Sequence, residues 1–311
     1  MHSVLWWIGF NVFILGLLTI DLVVFSRRPH AIRIREAFIW SGVWIATALA
    51  FNVGVYFWFG HHAALQFLTG YLIEKSLSVD NLFVFLLLFT YFKVPAKYQH
   101  EVLYWGIIGA LILRGTLIIL GAALIQRFSW ILDVFGLFLV ITGIRMAFDK
   151  GAEDVHPERN IVVKFFRRLF PVTPDFHEQK FFVRIDGKRS ATLLFIVLLV
   201  VESTDLVFAV DSIPAVFAVT RDPFIVYTSN VFAILGLRSL YFALAGMMNM
   251  FYYLRHGLAV VLTFIGLKMI AERFVDVPIL IALGVVAGVL TTAVIASIVR
   301  ARRLGGTGNA G

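Results

Sequence analysis

The chain has 311 residues, 60% hydrophobic and 15% charged, with a mean hydropathy of +0.89 and a net charge of +8. Charged residues fall well below the roughly 25% of soluble domains, and apolar runs of about twenty residues recur, as in membrane-spanning helices. This excludes a soluble fold around one water-excluded core; the lack of cysteine excludes disulfides and thiol redox chemistry in the chain.

The apolar runs predict about nine spans, at 4–25, 38–60, 64–92, 101–125, 129–148, 191–217, 224–247, 256–272 and 278–299. The expected fold class is therefore all-α, a polytopic transmembrane helical bundle in one membrane domain over 1–311. The first span is too long for a signal-peptide core and lacks a basic leader and a small-residue cleavage site, so it reads as a retained helix. His61 and His62 fall in a short outer loop, either a metal mouth or ordinary solvated chain. Glycine-rich GVVAGVL (284–290) in the last span is expected to allow close helix packing.

Spans five and six are separated by the polar segment 149–190. Within it NIVVKFFRRLF (160–170) puts Lys164, Arg167 and Arg168 on one helical face and Ile161, Phe165, Phe166 and Phe170 largely elsewhere. That resembles an interfacial helix, the plainer reading being a connector. The Asp-Gly of FFVRIDGKRS (181–190) suits a hairpin turn.

Basic residues sort strongly between the two sets of loops. One set holds 19 Lys and Arg: Arg27, Arg28, Arg33, Arg35, Lys93, Lys97, nine in 149–190, Arg255, Arg300, Arg302 and Arg303. The other holds three, Arg127, Arg221 and Arg273. The positive-inside rule then places the N-terminus outside, the C-terminus and 149–190 in the cytoplasm, and leaves no need for a nucleic-acid partner.

Three matches reveal an internal duplication. SVDNLFVF (78–85) resembles STDLVFAV (203–210), ALILRG (110–115) resembles ILGLRS (234–239), and TGIRM (142–146) resembles IGLKM (265–269). They set Asp80 against Asp205, Arg114 against Arg238 and Gly143 against Gly266, at nearly constant spacing. The unit has three helices, spans 3–5 (64–148) and spans 6–8 (191–272), so the second copy enters the membrane inverted. Spans 1 and 2 (1–60) and the last span (278–299) are peripheral. Inverted repeats in transporters hold their site at the midplane between broken helices. The expected broken pair is span 3, at EKSLSVDN (74–81), and span 6, at ESTD (202–205) and DSIP (211–214).

Those two spans carry five carboxylates: Glu74, Asp80, Glu202, Asp205 and Asp211. Each costs about 2.5–3.5 kcal/mol near the bilayer centre, so each must meet a cation, fixed or bound. Lys75, Arg114 and Arg238 are the fixed, charge-balancing ones; five negative against three positive charges leaves room for one divalent cation. Carboxylates, the Asn81 amide, hydroxyls and carbonyls form a hard oxygen set suited to Mn²⁺, Mg²⁺ or Ca²⁺. On ideal helices Glu74, Ser78 and Asn81 share a face and so do Glu202 and Asp205, while Asp80 and Asp211 point away. The competing reading is that these charges only brace helices.

EKSLSVDNLFVFLLLF (74–89), ESTDLVFAVDSIPAVF (202–217), the SNVFAILGLRSLYF run (229–242) and FFVRIDGKRSATLLF (181–195) resemble the bacterial TerC family of integral membrane proteins, closest to its riboswitch-linked Alx-type branch. The resemblance covers nearly the whole chain. It implies a multi-pass protein of the cell inner membrane, associated with manganese efflux, tellurium resistance and alkaline response. By family motif it implies a metal site at Glu74, Asp80, Asn81, Glu202, Asp205 and Asp211.

The expected function is export of Mn²⁺ through that site, with no enzymatic activity and no permanently bound cofactor, coupled to inward proton flow through Asp211 or Glu74. The alternative is a non-transporting redox or stress modulator or scaffold. An intramembrane aspartyl protease fits poorly, because neither SVDN nor STDL carries Gly-x-Gly-Asp. Oligomerisation is left open.

Overall fold

The computed structural model describes residues 3–26, 34–128, 130–148, 161–173, 176–177, 179–185, 188–245, 252–272, 274–275 and 277–306. Its helices are α1 (Val4–Ser26), α2 (Ile34–Tyr91), α3 (Ala96–Arg127), α4 (Ile131–Phe148), α5 (Ile161–Leu169), α6 (Leu193–Phe217), α7 (Pro223–Leu235), α8 (Leu237–Ala245), α9 (Leu254–Ala271) and α10 (Ile279–Gly306). Two strands, β1 (Phe182–Ile185) and β2 (Lys188–Ala191), form an antiparallel hairpin. The Asp-Gly expected at its turn lies outside the described residues.

Helices dominate because lipid offers backbone groups no partners, so each span must satisfy its own. Among the described residues six helices are long and apolar enough to cross a membrane, or seven when α7 and α8, bent by 41°, count as one span. The chain is an all-α, multi-pass membrane bundle.

Two glycines punctuate it. The 58-residue α2 is broken at Gly60, whose φ of 87° and ψ of 174° belong to a region essentially reserved for glycine. The break lies where the sequence reading separates spans 2 and 3. His61 and His62, expected in a loop, instead begin the next helical stretch, where His62 Nε2 lies 3.2 Å from the Gln66 amide. Gly236 caps α7 and separates it from α8.

The expected breaks in spans 3 and 6 are not found. Helix continues through EKSLSVDN and through ESTD and DSIP to Phe217. Three of the hydroxyls there bond back to the helix: Ser76 donates to the Leu72 carbonyl, and Ser203 and Thr204 to that of Val200. Such back-bonding satisfies a polar side chain in lipid without unwinding. Pro214 sits in the last turn of α6, where few downstream residues depend on it. The interrupted span is the α7–α8 pair.

One buried cluster joins α1, α2 and α3 to α6, α7 and α8, around Phe67, Phe224 and Phe232. A second joins α4, α9 and α10 to the far ends of α3 and α6. The α4–α9 contact is backbone-close. A Cβ on Gly143 would lie 2.8 Å from the Ala259 carbonyl oxygen, and one on Gly266 would lie 2.6 Å from that of Gly136. Gly143 and Gly266, matched by sequence, thus sit in the same interface. Gly284 and Gly288 behave otherwise than expected: nothing approaches within 4 Å of where their Cβ would be, and α10 comes close to α9 at Ala293, 2.7 Å from where a Cβ on Gly257 would lie.

At one end of the bundle Arg221, before α7, pairs with Glu272, after α9, at 3.6 Å. Both groups are exposed, and such pairs contribute little to stability.

A buried arginine clamp between the membrane helices

The candidate site is built from α2, α3, α6 and α7. Arg114, 1% exposed on α3, is among the largest fully buried side chains. A guanidinium has five donors and no acceptor, so burying it requires acceptors on several sides. Nε and Nη2 donate to the two oxygens of Asp205 on α6, at 3.1 and 2.9 Å, a bidentate fork. Nη1 contacts Glu74 of α2, and further reaches Asn230 Oδ1 at 3.2 Å and Ser212 Oγ at 3.4 Å. Asn230 closes the ring by donating Nδ2 to the second Glu74 oxygen at 3.0 Å. Glu74 is 0% and Asp205 4% exposed.

This arrangement joins residues far apart in sequence because each lies on a buried helix face. Asp205 and Ser212 are two turns apart on α6 and Glu74 and Asn81 two turns apart on α2, the spacing that keeps side chains on one face. Asn81 is buried. Ser78, one turn from Glu74, is also buried, and its hydroxyl has no hydrogen-bond partner among the described residues.

Glu202, one turn before Asp205, stands apart. Its carboxylate fills the space that a Cβ on Gly109 would need, so a side chain at 109 would make it swing aside. Its Oε2 is buried without a hydrogen-bond partner among the described residues. Asp211 is half-buried on α6 and is not among the groups Arg114 binds. Asp80 lies within α2, but its side chain is outside the described residues.

The fixed cations divide their work. Arg114 pairs with Glu74 and Asp205. Lys75 instead donates to the backbone carbonyl of Ala233 at 3.1 Å. Because α7 stops at Leu235, its last carbonyls lack helical partners, and an ammonium there satisfies one and complements the negative end of the helix dipole. Lys75 therefore caps the broken span rather than a carboxylate. Arg238, 2% exposed on α8, lies 3.2 Å from His100 Nε2 at the start of α3. Arginine can only donate, so that nitrogen accepts.

Between the two arginine centres lies a cavity of about 20 Å³, lined by Gly106, Ala110, Asp205 and Arg238 among others. It has room for about one water molecule. Among the described residues no group of three His, Cys, Asp or Glu side chains is placed to hold a metal ion.

Ser212, Asn230, His100 and Gly109 did not emerge from sequence as site residues. Ser212 and Asn230 each fall inside quoted motifs, DSIP and SNVFAILGLRS, and the two-turn spacing from Asp205 was a usable signal for the first.

Comparison with known proteins returns a match of residues 59–304 to the family described as Integral membrane protein TerC family. A Myxococcus xanthus protein named "Uncharacterized membrane protein STKORF319" is 49% identical over 95% of this chain and 92% of its own. An Escherichia coli (strain K12) protein named "Putative membrane-bound redox modulator Alx" is 48% identical over 91% of both chains. A Rickettsia bellii membrane protein is 38% identical over 94% of this chain and 97% of its own. No solved structure matches.

Proposed function

The chain belongs to the TerC family of integral membrane proteins, and we propose that it transports a hard divalent cation, specifically exporting Mn²⁺. The observation that carries this reading is Arg114, a buried fixed cation held between carboxylates from α2 and α6. A guanidinium there occupies the electrostatic position of a bound metal ion. The described state is one in which the protein's own cation closes the site.

In the proposed cycle an entering Mn²⁺ competes with Arg114 for Asp205 and Glu74. Glu74 and Asp205 carry two negative charges against the one of Arg114 between them when both are ionised. The clamp then keeps a net negative charge that attracts a cation. Asn230 and Ser212, which now accept from Arg114, offer an amide oxygen and a hydroxyl, and Ser78 an unused hydroxyl. That is an oxygen set suited to Mn²⁺, Mg²⁺ or Ca²⁺. Asp80, Asn81 and Asp211 are the remaining candidate positions from the family motif, and inward proton flow through Asp211 or Glu74 is the proposed coupling.

Alternating access would come from two inverted repeats moving about the site. The shared interface of Gly143 and Gly266 and the buried, repeat-matched Arg114 and Arg238 support that duplication. The Gly60 break supports nine spans, with α1 and the two halves of α2 counted separately. Loop charges support an inner-membrane protein with its N-terminus outside and its C-terminus in the cytoplasm. The chain is proposed to act as a transporter without enzymatic chemistry or a resident cofactor.

A second reading has its own support. An arginine whose acceptors all come from the protein is also what a structural brace looks like, and relatives carry the name redox modulator. The chain itself has no thiol to supply redox chemistry. The readings separate when cells loaded with radioactive manganese are followed for its loss, wild type against Asp205→Asn at matched membrane levels. Transport predicts faster loss with wild type alone. A brace predicts equal loss, with Asp205→Asn lowering the amount of folded protein.

A further inference from the structure

We infer that α5 and the β1–β2 hairpin form a docking platform for an anionic phospholipid leaflet at the mouth of α6. This surface is separate from the arginine clamp and does not depend on what the protein transports.

The platform is fixed to a membrane span. Val163 is buried. Phe166 packs on Phe195 of α6 with ring centres 5.0 Å apart, and Phe182 of β1 packs on the same ring at 4.6 Å. The chain leaving α5 is tied to the hairpin by backbone bonds from Ala191 to the Pro171 carbonyl and from Thr173 to that of Ala191. Both elements therefore sit at the first turns of α6, where a spanning helix enters the bilayer.

Helix α5 has three faces. At about 100° per residue, Val163 and Phe166 point to α6, Val162 and Phe165 share a second face, and Lys164, Arg167 and Arg168 cover the third. Phe165 is 64% exposed and the three basic side chains are exposed. An unburied phenyl group beside cations, at a point of membrane entry, fits a helix lying in the interface. The hairpin adds a second observation. Arg184 and Arg189 are paired directly across the strands, both exposed, and lie on the strand face that carries Phe182. Like charges directly opposite repel. None of these five cations has an acidic partner among the described residues. A surface of phosphate headgroups would relieve all five at once, while the acyl layer receives Phe165. A second copy of this face would bring like charge against like charge.

The lack of cysteine makes the test direct, because single nitroxide labels can be placed without background. Full-length protein carrying Phe165→Cys, Val162→Cys or Lys164→Cys is labelled and placed in nanodiscs of phosphatidylcholine alone or mixed with phosphatidylglycerol. Collision with oxygen and with a water-soluble nickel complex then reports depth. The expected result is that labels at 165 and 162 lie below the phosphates in the anionic discs and the label at 164 faces water. Lys164→Gln/Arg167→Gln/Arg168→Gln, combined with the 165 label, should restore water access there. Affinity for the anionic lipid should fall roughly fivefold per cation removed. Equal water access at 165 and 164 in anionic discs overturns the proposal. So does a label at 165 shielded from both probes, which signals a protein occupant, or a depth that ignores lipid charge and the triple substitution.

Discussion

Arg114 grips both oxygens of Asp205 from a helix 91 residues away in sequence, at 2.9 and 3.1 Å, inside a bundle that lipid surrounds. Removing one partner leaves a buried charge without compensation, which costs about 3–5 kcal/mol. Arg114→Ala and Asp205→Ala should each lower stability by about that much, and the double variant by less than their sum, with a coupling of about 1–3 kcal/mol. Denaturant unfolding in mild detergent measures the cycle. Strict additivity would mean that the two residues do not share an interaction.

The Glu202 carboxylate lies where a Cβ on residue 109 would be. Gly109→Ala should push the Glu202 carboxylate aside; because that is the free end of a flexible side chain, the cost should stay within about 1.5 kcal/mol, the scale of a strained rotamer. Adding Glu202→Ala should recover most of that loss, since the obstructing group is then gone. A loss at Gly109→Ala that Glu202→Ala leaves unchanged would mean that the carboxylate does not occupy that space.

Lys75 is expected to matter for the shape of the α7–α8 span and not as a counter-charge. Lys75→Met leaves the Ala233 carbonyl without its donor, at a cost of about 1–2 kcal/mol. The effect should persist unchanged in a Glu74→Gln background, because Lys75 does not hydrogen-bond that carboxylate. A strongly background-dependent effect, seen in the same unfolding assay, would return Lys75 to the acidic cluster.

The α4–α9 contact gives a test with internal controls. Gly143→Ala and Gly266→Ala would each force backbone apart and should cost about 1–3 kcal/mol. Gly284→Ala and Gly288→Ala meet open space and should stay within about 0.5 kcal/mol of wild type. Thermal unfolding of the four variants in detergent decides it; equal effects at all four sites would place the close interface elsewhere.

Much of this was legible because membranes make charge expensive. A carboxylate in a span stands out in sequence, and so Glu74, Asp205 and Arg114 were visible as residues that had to be paired. Sequence does not carry side-chain direction, so it could not show that Arg114 reaches both acids at once or that Lys75 turns to a carbonyl. Ser212 and Asn230 are neutral, carry little insertion cost and gave a weaker signal. The broken span was misplaced for a related reason. Polar residues in EKSLSVDN and ESTD look helix-breaking in water, yet the hydroxyls of Ser76, Ser203 and Thr204 bond the preceding turn and the helix continues. The actual interruption, at Gly236, sits in the ILGLRS run, where Arg238 reads as a charge to be paired and not as the sign of a bend. In the last span the close approach falls at Ala293 against Gly257 of α9 and not at Gly284 or Gly288, since small residues permit close packing without requiring it.

The central claim is that the carboxylates held by Arg114 receive a transported cation. The most direct measurement is Mn²⁺ flux through the purified full-length chain in sealed proteoliposomes, for wild type, Asp205→Asn and Glu74→Gln at equal folded content. The account predicts flux with wild type and loss of at least about tenfold, roughly 1.4 kcal/mol, in each variant. Flux that survives both substitutions would remove these residues from the path, and no flux of Mn²⁺, Mg²⁺ or Ca²⁺ with folded wild type would show that the clamp is a brace.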